Sequence, residues 1–148
     1  MALKFDSVLE KLKSYASDKS KAPTLTVGFW GGTVYQSSGE RVVDVAIWNE
    51  FGDPDANRPP RPFFARMIAK ESGHWADDIK THAKNFSYDW DKVFNEMGAD
   101  ISGSLLESIN EFTDPALSPV TIAEKGFAKP LIDTTLMKDA IKHKVEYE

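Results

Sequence analysis

Cysteine is absent, histidine occurs only three times, and no apolar run approaches the roughly 20 residues that a membrane span requires. The first absence removes disulfides, thiolate nucleophiles and thiolate zinc sites, and fits folding in a reducing cytoplasm. The second leaves His74, His82 and His143 as the few imidazole bases, and no sequence pattern sets one beside a nucleophile. There is no G-x-S-x-G elbow, no H-E-x-x-H pair, no phosphate loop and no dinucleotide fingerprint. No catalytic residue, resident metal or cofactor is therefore expected, and the chain is read as a non-enzyme. Basic excess is missing too. With a formal charge of -5 and a pI near 5.2, no broad cationic face is available for sequence-independent binding to phosphates. The opening MALKFDSVLEKLKS lacks the apolar core of a secretory signal, so none is expected there.

What is present suits one compact core. A chain of 148 residues with 41% hydrophobic content can bury a single interior, so one domain over 1–148 is expected, with a helix and linker over 1–22 and the core over 23–148. Phe5, Val8, Leu9, Leu12, Tyr15 and Ala16 recur at helical spacing and predict a helix over 3–17. TLTVGFW, residues 24–30, has the β-branched and aromatic content of a strand, and residues 29–41 read as a hairpin turning at Ser38-Gly39. In RVVDVAIWNEFG the residues Val43, Ile47 and Phe51 step by four, which predicts a short helix after a brief strand, with Asp44 as its N-cap and Gly52 as its left-handed terminator. Pro62 suits the first turn of a long helix reaching residue 85, weakened at Gly73. A second long helix is expected from Asp89, in which Gly98 and Gly103 point to close approach by another helix. After a short helix at Ser118-Pro119, an extended KPLIDT and a turn at TLMKDAI, the alternation in KHKVEYE predicts a final strand with one wet face. Together these elements predict an α+β domain: an antiparallel sheet with helices on one face, plus a projecting hairpin and a Pro-rich loop.

Two clusters compete for function. His74, Asp78 and His82, with Asp77 beside them, fall near one helical face and have metal-ligand chemistry. Asp and His on a helix of this kind are more simply a solvated face, and that reading is preferred. The passage WNEFGDPDANRPPRPFF, residues 48–64, is less ordinary, holding four of the eight prolines, four aromatics and two arginines. Prolines reduce the entropy lost on binding, so the loop can present Arg58, Arg61, Phe63 and Phe64 at low ordering cost. Arg61, braced by Pro60 and Pro62, is the leading candidate for a specific contact with a carboxylate. The alternative is that Phe63 and Phe64 simply plug the core, and Phe64 is read that way. Trp30 and Tyr35 in the hairpin are either a second docking arm or an ordinary surface turn.

The motifs AIWNEFG and PPRPFF, followed later by LSPVTIAEKG and KPLIDT, resemble in order and separation the paired signatures of tailed-bacteriophage neck and tail-completion proteins. The resemblance covers residues 42–148. It departs at Thr135, where the family pattern D-T-G-x-L has glycine. It implies a structural protein of the virion, assembled in the host cytoplasm. Such subunits form a ring, usually sixfold, with twelve copies also considered, between a head-side connector and the tail tube or its terminator, and DNA passes through the lumen without sequence-specific binding. The interface residues it implies are Asn49, Glu50, Phe51, Gly52, Pro60, Arg61, Pro62 and Phe63 from the first motif, joined by the neighbouring Trp48 and Arg58. From the second come Lys129, Pro130, Leu131, Asp133 and Thr134, and charge alone pairs Asp133 with Arg61. Two alternatives stay open: a tail-tube terminator, and a small monomeric module that grips a host protein through PPRPFF.

Overall fold

The computed structural model describes residues 23–36, 38–111 and 136–147. The helix expected over 3–17, the short helix at Ser118-Pro119 and the whole KPLIDT motif, with Lys129, Pro130, Leu131, Asp133 and Thr134, lie outside these. The described elements are β1 (Pro23–Phe29), α1 (Val42–Phe51), α2 (Phe63–Glu71), α3 (Trp75–Asn85), α4 (Trp90–Glu111), α5 (Leu136–Asp139) and β2 (Ile141–Tyr147). The class is α+β, as the sequence predicts: β1 and β2 pair as a two-stranded antiparallel sheet. Two compact units can be distinguished, and β1, α4 and β2 have residues in both.

In the unit comprising residues 23–27, 73–101 and 143–147, the core is built from Ala83, Val93 and Met97. The long helix expected to reach residue 85 is broken: α2 ends at Glu71 and α3 begins at Trp75. Ser72, Gly73 and His74 lie between them, and the low helix propensity of serine and glycine outweighs the apolar stripe that continues across the gap. The helix from Asp89 forms as predicted and runs for 22 residues, with the Asp89 carboxylate accepting from the Lys92 amide at 3.3 Å. Gly98 does mark a close approach, but by a strand: a Cβ there would lie 2.5 Å from the His143 ring on β2. Gly103 meets nothing within 4 Å, so it marks no contact among the described residues. Along β2, Ile141, His143 and Val145 are half-buried and Lys142, Lys144 and Glu146 exposed, the alternation legible in KHKVEYE.

In the unit comprising residues 28–72 and 102–142, as far as these are described, Tyr35, Val42, Ala46, Phe63, Met67, Leu105, Ile109 and Met137 form the interior. Ser108, also buried, donates its hydroxyl to the Phe63 carbonyl at 2.7 Å, which ties the start of α2 to α4. The hairpin is reduced to one antiparallel bridge, Val34 with Arg41, closed by amides of Ser38 and Gly39 on the Tyr35 carbonyl. Tyr35 points inward and is buried, which corrects its reading as a docking arm; Trp30 is half-buried, its amide bonded to the Ala140 carbonyl at 3.1 Å. Asp44 is not the N-cap of α1. Arg41 holds that position, and Asp44 in the first turn grips its guanidinium through two bonds of 2.7 and 2.8 Å. Gly52 terminates α1 at φ 80°, as expected, and a Cβ there would press against the Arg58 carbonyl and Pro60 at 3.0 Å.

Candidate docking surface

The Pro-rich passage folds back on its own unit. Asp53 and Arg58 exchange two amide–carbonyl bonds of 2.9 Å, closing a small loop around Pro54 and Asn57. The Arg58 guanidinium sits 5.1 Å over the Trp48 ring and 3.6 Å from Glu40, so much of its charge is engaged within the chain. Arg61 is only 8% exposed, and burial pulls its guanidinium below its ordinary pKa. Its amide donates to the Asn49 carbonyl, closing the loop onto the end of α1. The expectation that Arg61 projects toward a partner is therefore corrected: two prolines flank it, yet its side chain is buried within its own unit. Pro60 and Pro62 remain at the surface. Phe63 and Phe64 exchange their expected roles. Phe63, at 1% exposure, is the core residue, while Phe64 is half-buried at the surface of the unit.

This folding positions Glu50. Its carboxylate accepts from the Phe64 amide at 2.8 Å and the Ala65 amide at 3.0 Å, satisfying two of the free N–H groups that open α2. The negative charge also lies at the favourable end of the helix dipole. Pro62, the residue before α2, offers no side-chain cap, so a residue from α1 caps α2 across the intervening loop. Nothing local in sequence marks this bond. The one signal is negative: a helix opening P-F-F with no Ser, Thr, Asp or Asn before it must find its cap elsewhere.

With α1 and α2 locked in this way, an open apolar groove of about 450 Å³ lies between them, walled by Phe29, Ile47, Phe51, Phe64 and Ile68 with Glu50 at its side. Three of these are large side chains left in water: Phe51 at 76% exposure, Ile47 at 50% and Ile68 at 42%. The Val43, Ile47, Phe51 stripe that makes α1 legible as a helix thus faces the groove, with buried Ala46 beside it in the groove lining, while the neighbouring Val42 enters the core. Grouped apolar exposure of this kind is the usual mark of a contact or binding surface. Phe29, Phe63 and Phe64 form an aromatic cluster with ring centroids 5.9 to 6.5 Å apart, so the groove floor is a packed part of the core.

The other cluster is engaged differently. His82 lies 2.7 Å from the Asp100 carboxylate, Asp77 pairs with Lys80 at 2.8 Å, and His74 is exposed. Among the described residues no group of three or more His, Cys, Asp or Glu is placed to hold a metal ion. No described helix is long and apolar enough to cross a membrane. Comparison of the chain with family models, with curated proteins and with solved structures yields no match.

Proposed function

We propose that the protein is a structural subunit of a tailed-bacteriophage virion that works as a homo-oligomeric ring at the head–tail junction. Two lines support the reading. The motif order of residues 42–148 resembles that of neck and tail-completion proteins. The observation that carries it is that the first motif, WNEFG with PPRPFF, builds a braced frame whose outer side is the groove of Ile47, Phe51 and Ile68, left open by the described residues. A chain that fixes three large apolar side chains in water, on elements held by Glu50 and Gly52, is preorganised for another polypeptide. The acidic balance of the chain suits a conduit, because a lumen that held phosphates tightly would impede DNA transit. Electron microscopy of particles assembled without the protein tests the proposal. Filled heads separate from finished tails are the expected outcome; tails of uncontrolled length would assign a terminator role instead, and normal virions would refute both.

A further inference from the structure

We draw no further inference here: the strongest candidate, the open apolar groove between α1 and α2, belongs to the surface already described, and nothing among the described residues shows what covers it.

Discussion

Replacing Gly98 by alanine should destabilise the protein, although alanine is the better helix former. Gly98 lies inside α4, and removing a glycine from a helix interior is worth about 1 kcal/mol. Against this, the new methyl would fall 2.5 Å from Cγ and Cδ2 of His143 and 2.9 Å from its Cβ. Rotating the imidazole relieves the first two contacts but leaves the third, because the Cβ is fixed to the β2 backbone. The strand must shift, which places the overpacking cost near 3 kcal/mol, the upper part of the usual range, and the net loss near 2 kcal/mol. Gly103 in the same helix is the control. With nothing within 4 Å of its would-be Cβ, Gly103→Ala should gain about 1 kcal/mol. Urea unfolding followed by far-ultraviolet circular dichroism measures both through the midpoint at constant m. In a His143→Gly background both the ring and the Cβ contacts disappear, and most of the Gly98→Ala penalty should vanish, a coupling of about 2 kcal/mol. If Gly98→Ala stabilised the protein as Gly103→Ala does, the packing of β2 against α4 would be wrong.

Glu50→Ala removes the acceptor of two α2 amides and should cost about 2 kcal/mol in the same assay; Glu50→Gln, which keeps one carbonyl oxygen, should cost about half as much. Gly52→Ala forces a methyl into a φ of 80° and against the Arg58 carbonyl and Pro60, and a loss of about 3 kcal/mol is expected. The Asp44 carboxyl, hydrogen-bonded by Arg41, is held below its ordinary pKa. Its contribution is thus present above the unfolded midpoint near pH 3.9 and fades as pH falls through the lower folded midpoint. NMR titration should give that lower midpoint, Arg41→Ala should raise it, and salt should shrink the difference because both groups are exposed.

The parts of the fold that were legible in sequence are those governed by local periodicity. TLTVGFW, the stripe from Trp90 to Ile109, and the alternation in KHKVEYE each encode one element through neighbours a few residues apart. The break at Gly73 was visible as a weakness, but whether a helix crosses such a residue depends on packing that spacing does not report. The site was legible only in part. Residues 48–64 stand out in composition, and Gly52 reads as a helix terminator, which its φ of 80° at the end of α1 bears out. The direction of each side chain was not readable, because Arg61, Phe63 and Tyr35 turn inward through long-range contacts. Glu50 reaches its partners across 14 and 15 residues, and Phe63 meets Ser108 across 45, distances at which sequence pattern carries no register. The exposed apolar groove is walled by Ile47, Phe51 and Ile68, residues whose spacing marks a helix without marking which side stays open.

The central claim, a ring subunit at the head–tail junction, is tested most directly by a cryo-electron microscopy reconstruction of the intact particle with this chain located in the density. The claim predicts copies arranged around the DNA channel between connector and tail, with the Phe51 face covered by another polypeptide. Particles that carry no copy at that junction, or copies whose Phe51 face lies bare, would contradict it.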